Sequence, residues 1–144
     1  MALQVWLPLN GTLENKGLSN VTVTNNGATV DNNGKIGKCY SFDGSDDKIT
    51  LSSHPASGKT AITVACWCYP KSASLLGLFG FANTPTYEFS MSHSVELQLI
   101  YRDTAHSNAA TWNFTDNPIT ANVWQHWTFV YDNGKLFSYK NGVL

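Results

Sequence analysis

The amino-acid sequence predicts an all-β protein, a two-sheet antiparallel β-sandwich of the jelly-roll type. Three observations indicate this fold class. Apolar residues recur in short runs, Gly, Asn, Asp and Ser interrupt those runs every few residues, and no helical period of useful length is present. Many short strands at regular spacing are typical of sandwiches and jelly rolls. The length of 144 residues fits one domain, which we expect to span 1–144.

The predicted strands follow one another along the whole chain. In order, they cover residues 3–9, 21–24, 37–43, 48–51, 61–69, 75–81, 86–92, 95–101, 110–114, 124–131 and 135–140. Asn-Gly pairs at 26–27 and 33–34 predict turns in the early part of the chain. Residues 132–134, Asp-Asn-Gly, predict a hairpin between the last two strands, because these residue types tolerate a positive φ.

Two of these strands predict where the layers lie. Strand 61–69 has one apolar face, predicted to join the core, and one aromatic face, suited to packing under a loop or to forming a half-exposed surface. The apolar face consists of Ile62, Val64, Cys66 and Cys68, and the aromatic face of Thr63, Ala65, Trp67 and Tyr69. Strand 124–131 is apolar or aromatic on both faces, which predicts a central position in its sheet.

Composition and charge exclude several classes of partner. Nine basic and ten acidic side chains give a net charge of -1, which leaves no basic excess to neutralise nucleic acid. The N-terminal residues lack the basic and apolar regions of a signal peptide, and no apolar run approaches the roughly 18 residues that cross a bilayer. We therefore expect no nucleic acid, no membrane insertion and no signal peptide in this chain.

Four segments share one pattern when taken in order. They are LQVWLPLNGTLENKG at 3–17, GKIGKCYSFDGSDDKITL at 34–51, ITVACWCYP at 62–70 and WQHWTFVYDNGKLFSYKNGVL at 124–144. In order and spacing they resemble the laminin-G-like, concanavalin A-like jelly-roll superfamily, in the form common in bacterial and phage surface proteins. Domains of this type usually continue through several more strands after the Asn-Gly hairpin at 141–142. We therefore expect either a fragment of a longer protein or sheet edges that another chain covers.

Catalysis is not expected from this sequence. Glycanases of this architecture place two carboxylates about 5 Å apart on one face of a strand. Glu88 and Glu96 lie eight residues apart on separate predicted strands, so they do not form such a pair. Adjacent residues such as Ser53 and His54 point to opposite faces of a strand and cannot form a nucleophile and its base. His126 resembles the family's strand histidine and is predicted to be structural.

Three carboxylates crowd one predicted turn, at Asp43, Asp46 and Asp47. Asp-Gly-Ser-Asp is ordinary turn chemistry, which explains these residues without a metal. Carboxylate oxygens in a flexible loop also suit Ca²⁺, and the resemblance implies a structural calcium near the early turn. Glu14 and Asn15 occupy that early turn, where an Asp is common in the family. The late strands that also hold this calcium in the family are absent from the sequence, so the ordinary turn is the favoured interpretation and calcium is the alternative.

Sugar recognition requires flat aromatic faces for the apolar side of a sugar ring and polar groups for its hydroxyls. The candidate aromatic residues are Trp67, Tyr69, Tyr87, Tyr101 and Trp112, with Asp103, Asn108 and Asn113 as polar partners. The competing interpretation of each aromatic is packing in the core or under a loop. We expect the Asn-rich segment 101–117 to form an exposed loop rim around Trp112.

The resemblance implies a non-catalytic carbohydrate-binding or adhesion module on an extracellular surface or a virion, with a glycan or cell-surface polysaccharide as its partner. The alternative is a structural virion component, such as a tail, fibre or capsid-decoration protein, that forms a homo-oligomer or binds other virion chains. Three cysteines are an odd number, and Cys66 and Cys68 lie two residues apart, so we expect no disulfide framework. Free cysteines without a signal peptide fit a particle assembled in the cytoplasm. A third interpretation, a glycoside hydrolase-like enzyme, depends only on the fold that glycanases share.

Overall fold

The computed structural model describes residues 2–55, 59–72, 76–83, 87–93, 97–102, 109–114 and 119–144. These residues form strands, turns and irregular segments without helix, and none of their elements is a helix long and apolar enough to cross a membrane. The strands are β1 (Val23–Asn26), β2 (Thr29–Asp31), β3 (Cys39–Ser41), β4 (Lys48–Leu51), β5 (Ala61–Cys68), β6 (Leu76–Asn83), β7 (Tyr87–His93), β8 (Leu97–Arg102), β9 (Ala109–Phe114), β10 (Gln125–Asp132) and β11 (Lys135–Lys140).

The chain falls into two compact units, Met1–Gly58 and Lys59–Leu144. In the first unit, β1 pairs with β4 and β2 pairs with β3, both antiparallel. Gly27, at φ +92°, follows β1 at a tight turn, and a Cβ at this position would collide with Oδ1 of Asp47. Glycine is therefore required there both for the backbone conformation and for the close approach of the Asp47 carboxylate.

The predicted strand at 3–9 is wrong, since this segment has no regular strand structure. The segment lies antiparallel to residues 16–19, with the Lys16 N–H donating to the Trp6 carbonyl at 2.9 Å. The Trp6 N–H, however, donates to the side-chain oxygen of Asn15 at 2.9 Å. An Asn side chain thus takes a place that a backbone carbonyl would hold in a ladder, and Pro8 has no N–H to contribute. Strand β2, which the sequence analysis missed, has only three residues.

In the second unit, three strands form an antiparallel sheet in the order β11-β10-β5. Strand β10 is central, as its two apolar faces predicted. Its register with β5 is regular from Gln125 opposite Cys68 to Asp132 opposite Ala61. Asn133 (φ 45°) and Gly134 (φ 86°) form the predicted hairpin turn to β11, because both residues adopt the left-handed conformation that a tight hairpin needs.

One face of this sheet packs into the core of the second unit. Trp127 and Phe129 are completely buried, and their rings stack with centroids 5.8 Å apart. The four residues predicted to form the core face of β5 pack against them: Ile62, Val64, Cys66 and Cys68. Phe79 of β6 contacts Phe129 with ring centroids 5.6 Å apart. The alternation predicted for strand 61–69 is therefore confirmed.

A four-stranded antiparallel sheet, in the order β6-β7-β8-β9, completes the described part of the second unit. Strand β9, Ala109–Phe114, pairs with β8 along its whole length. The predicted loop rim over 101–117 is therefore wrong for these residues. The strand predicted at 110–114 is confirmed by β9. Thr and aromatic residues favour extended structure, and the pairing with β8 takes the place of the exposed loop that was expected over the same residues.

Candidate functional site

The outer face of the three-stranded sheet, opposite the core, exposes large aromatic side chains. Trp67 of β5 is 45% exposed and Tyr69, which follows β5 directly, is 44% exposed. Thr63 and Ala65 precede them on the same face and are also exposed. Of the two alternatives for the second face of strand 61–69, packing under a loop and forming a half-exposed surface, the structure has the second.

Each of these two aromatic rings contacts a ring from the neighbouring strand. Trp67 lies directly opposite His126 in the register, and their rings meet edge to face with centroids 5.1 Å apart. Tyr69 contacts Trp124, just before β10, with centroids 5.5 Å apart. Such tilted and edge-to-face pairs are favourable for aromatic rings and fix their orientation. The two pairs of rings therefore lie on one surface of the sheet, which we call the aromatic face. It consists of the rings of Trp67, Tyr69, Trp124 and His126, with Phe137 and Tyr139 of β11.

The segment before β10 holds Trp124 in place through a buried glutamine. Gln125 is buried, and its side-chain nitrogen donates to the carbonyls of Thr120 at 2.6 Å and Val123 at 3.3 Å. Its side-chain oxygen accepts the Thr120 N–H at 3.2 Å. A buried amide with satisfied donors and acceptor fixes a loop more firmly than apolar contact alone. The turn that ends at Trp124 is therefore anchored to the sheet.

A second anchor joins this turn to the end of β5. The Asn122 N–H donates to the carbonyl of Pro70 at 2.7 Å, one residue beyond Tyr69. Asn122 adopts a left-handed conformation, φ 59°, which an asparagine tolerates at a tight turn. This hydrogen bond joins the end of β5 to the turn before β10, so Tyr69 and Trp124 lie next to each other.

The other aromatic pair is held by the residue after β11. Oδ1 of Asn141 accepts the His126 N–H at 2.9 Å, and the Asn141 N–H donates to the His126 carbonyl at 2.8 Å. Asn141 has a left-handed φ of 52°, so the backbone turns away from β10 there, while its side chain continues the hydrogen bonding between β11 and β10. The backbone of His126 is thus bonded on both of its hydrogen-bonding groups, which fixes the ring opposite Trp67.

Strand β11 adds two more aromatic residues to the aromatic face. Tyr139 lies opposite Thr128, and Phe137, which is 37% exposed, lies opposite Val130. Residues directly opposite each other in an antiparallel pair share a face of the sheet. In the three strands, which are described without gaps, the charged positions on this face are Asp132 and Lys135, opposite each other at one end. The middle of the aromatic face is uncharged.

Four of the remaining predicted sugar-binding residues lie in strands of the four-stranded sheet. Tyr101 is in β8, where it pairs with Ala110, and Trp112 and Asn113 are in β9, opposite Leu99 and Gln98. Tyr87 begins β7. Asp103 and Asn108 lie outside the described residues. Trp67 and Tyr69 are therefore the predicted aromatic residues that lie on the outer face of the three-stranded sheet.

The three predicted metal ligands do come together, in the turn between β3 and β4. One carboxylate oxygen from each of Asp43, Asp46 and Asp47 lies within 4.8 Å of the others. Hard oxygen atoms of this kind fit Ca²⁺, which takes six to eight of them. Two of the carboxylates also accept hydrogen bonds within the turn, Asp43 from the Ser45 N–H at 2.8 Å and Asp47 from the Asp43 N–H at 2.9 Å. The hydrogen bond from Ser45 lowers the pKa of Asp43. These hydrogen bonds fit the ordinary-turn interpretation, and calcium binding stays the alternative prediction.

The three cysteines, Cys39, Cys66 and Cys68, are free. Burial raises the pKa of the Cys66 thiol to about 11 and that of Cys68 to about 12. Protonated thiols such as those of Cys66 and Cys68 are poor nucleophiles, so the two cysteines behave as small apolar residues on the core side of the sheet.

The core side of the sheet also carries a charged contact. Lys140, opposite Trp127 in the register, places its ammonium 5.5 Å from the centre of the Trp127 ring.

Comparison with known proteins agrees with this architecture. Residues 43–144 match the family described as the Concanavalin A-like lectin/glucanases superfamily, and the chain belongs to that superfamily. It is an all-β protein with the antiparallel β-sandwich fold that the sequence predicted. Among solved structures it is similar to domain 4 of AbnA, a GH43 extracellular arabinanase from Geobacillus stearothermophilus, in complex with arabinotriose. The TM-score is 0.72 at 21% identity, over 99% of this chain and 74% of that one. No curated protein matches the chain.

Sequence reasoning missed several residues of the aromatic face. Trp124 and His126 were predicted only as residues of a strand with two apolar or aromatic faces, because the register that sets them beside Tyr69 and Trp67 is a non-local pairing. Asn141 was recognised only as part of a turn. The available signal was the aromatic alternation in both strands, which becomes a site only when the two strands are placed side by side.

Proposed function

We propose that this protein is a non-catalytic carbohydrate-binding module that acts outside the cell and binds a neutral glycan through the aromatic face. The observation that supports the proposal is the pair of ring contacts, Trp67 with His126 and Tyr69 with Trp124, on an exposed sheet. Flat rings suit the apolar face of a sugar, and tyrosine, histidine and threonine side chains nearby offer hydrogen-bonding groups for its hydroxyls.

The fixed geometry of the rings favours recognition over mere exposure. Gln125 and Asn141 hold the backbone next to Trp124 and His126, so the rings need no ordering when a ligand arrives. Pre-ordered side chains avoid the entropy loss that otherwise reduces affinity. An exposed aromatic surface that served no partner would also be a liability in solution.

The non-catalytic part of the proposal depends on carboxylates. Glycoside hydrolysis in most families uses two of them, flanking the bond that is cleaved. Within β5, β10 and β11, the strands that form the aromatic face, Asp132 is the one acidic residue. It lies at the end of the sheet, opposite Lys135 and away from the ring pairs. A sugar bound over Trp67 would therefore not meet a pair of carboxylates from these strands.

A glycan array probed with the full chain tests the proposal, followed by calorimetric titration with arabinotriose as the first soluble probe, since that sugar is bound in the similar arabinanase domain. We expect binding to at least one neutral glycan and no release of reducing sugar from it. Native mass spectrometry of the same sample distinguishes the assembly role considered from the sequence. A defined oligomer with no signal on the array would contradict the proposal and favour assembly.

A further inference from the structure

The exposed aromatic side chains of the outer face form two groups. The first group is the pair of ring contacts around Trp67 and Tyr69, and the second is Phe137 on β11, which is 37% exposed. Tyr139, on the same strand, is half-buried and lies between them. Between the groups, the register places Ala65 opposite Thr128, and Thr128 opposite Tyr139. The small side chains of Ala65 and Thr128 thus lie along the diagonal between Trp67 and Phe137.

The separation of the two groups follows from the register and from the spacing of a β-sheet. Trp67 on β5 and Phe137 on β11 are two strands apart, and Phe137 is four residues along the strand direction from the row that contains Trp67. Neighbouring strands lie about 4.8 Å apart and each residue advances about 3.3 Å, so the two Cα atoms are about 16 Å apart. Each ring of an extended oligosaccharide advances by about the spacing of two neighbouring strands, so one ring does not reach across that distance and about three rings do.

From this arrangement we infer that the ligand is a linear, neutral oligosaccharide of at least three units, which crosses the sheet diagonally from Trp67 over Ala65 and Thr128 to Phe137. This inference rests on the proposed function, because it specifies the ligand of the same face. The aromatic groups provide stacking at the two ends, and the small residues between them leave room for the middle unit. The charged residues Asp132 and Lys135 lie beside each other at the margin, so the diagonal itself meets no net charge.

Titration calorimetry with arabino-oligosaccharides from two to six units tests the inference. We expect the affinity to rise about tenfold between two and four units and then to stay constant, as the second aromatic group becomes covered. The affinity should be the same in low and high salt, because no ion pair forms. Equal affinity for the disaccharide and the longer chains would overturn the diagonal site and leave sugar binding intact. If the chain binds none of them but binds another neutral glycan on the array, oligomers of that glycan take their place, and equal affinity along that series would overturn the diagonal site. No binding to any of these sugars would overturn the proposed function together with this inference.

Two substitutions separate the ends of the site. Phe137→Ala should lower the affinity for the pentasaccharide about three- to tenfold and leave the affinity for the disaccharide unchanged, since the short sugar stays on the Trp67 group. Ala65→Arg, at an exposed position, should remove the increase in affinity with chain length, because its long side chain would cover the space above Ala65 and Thr128. Thermal melting of both variants checks that they fold. An equal loss for both sugars with Phe137→Ala would contradict the diagonal path.

Discussion

Replacing Trp67 by alanine gives the sharpest expectation for the aromatic face. The side chain is 45% exposed, so of a Trp surface of about 250 Å² about 110 Å² is open to solvent, and a sugar on one side of the ring covers about half of that. At about 25 cal/mol per Å², this contact contributes about 1.4 kcal/mol. Adding a stacking term of up to about 1.5 kcal/mol gives a loss of about 10- to 100-fold in affinity.

The assay is calorimetric titration of the wild type and the variant with the best-binding neutral glycan. The fold should survive the change, because Trp67→Ala removes one ring contact with His126, worth about 0.5–1.5 kcal/mol against a domain stability of about 5–15 kcal/mol. Trp6→Ala is a matched control, since Trp6 is also a half-exposed tryptophan but belongs to the other compact unit. Full binding by Trp67→Ala, or an equal loss in Trp6→Ala, would refute the assignment.

Other predictions concern the core, the thiols and the acidic turn. Phe129→Leu should lower the free energy of unfolding by about 1–2 kcal/mol in urea titration, because a completely buried ring is replaced by a smaller side chain; an unchanged midpoint would contradict the core position of Phe129. The folded-state pKa values of Cys66 and Cys68 are raised above 9.0, so the unfolded chain releases its thiol protons first as the pH rises. The stabilisation from these thiols should therefore be complete below pH 9 and fall between pH 9 and about 11–12, and a variant with valine at both positions should lose less of its thermal midpoint over that range than the wild type. Equal losses would show that the thiols are not buried. Asp47→Ala should lower the melting temperature by a similar amount in EDTA and in millimolar calcium, because it removes the acceptor of the Asp43 N–H, a loss of about 1 kcal/mol. A calcium-dependent rise in the wild type that Asp47→Ala abolishes would instead assign the acidic turn to a cation.

The parts of the fold that the sequence predicted are those with strong local patterning. Strand β11 was predicted with the bounds that the structure has, because it lies between two Asn-Gly turns. The central position of β10 followed from its two apolar faces, and the core face of β5 followed from simple alternation. In each case, side chains in one short segment decide the outcome, and no distant residue is needed to predict it.

Predictions were wrong where the partner of a segment decides its structure. Segment 3–9 has the alternation of a strand, but the Asn15 side chain takes the Trp6 N–H. The residues around Trp112 were predicted both as a strand at 110–114 and as part of an exposed loop rim, and the pairing with β8 shows that the strand prediction is the right one. The candidate site shows the same limit. Trp67 and Tyr69 were predicted one by one, whereas their contacts with His126 and Trp124 depend on a strand pairing across a long stretch of chain.

The most direct test of sugar binding by the aromatic face is a two-dimensional ¹⁵N–¹H NMR titration that follows the indole N–H signals of the five tryptophans. Single Trp→Phe variants assign each signal. On addition of a neutral glycan that binds, the signals of Trp67 and Trp124 should shift, while those of the half-exposed Trp6 and the completely buried Trp127 should stay in place. Saturable shifts at Trp6 with none at Trp67 and Trp124 would contradict the account, because the sugar would then bind away from the aromatic face.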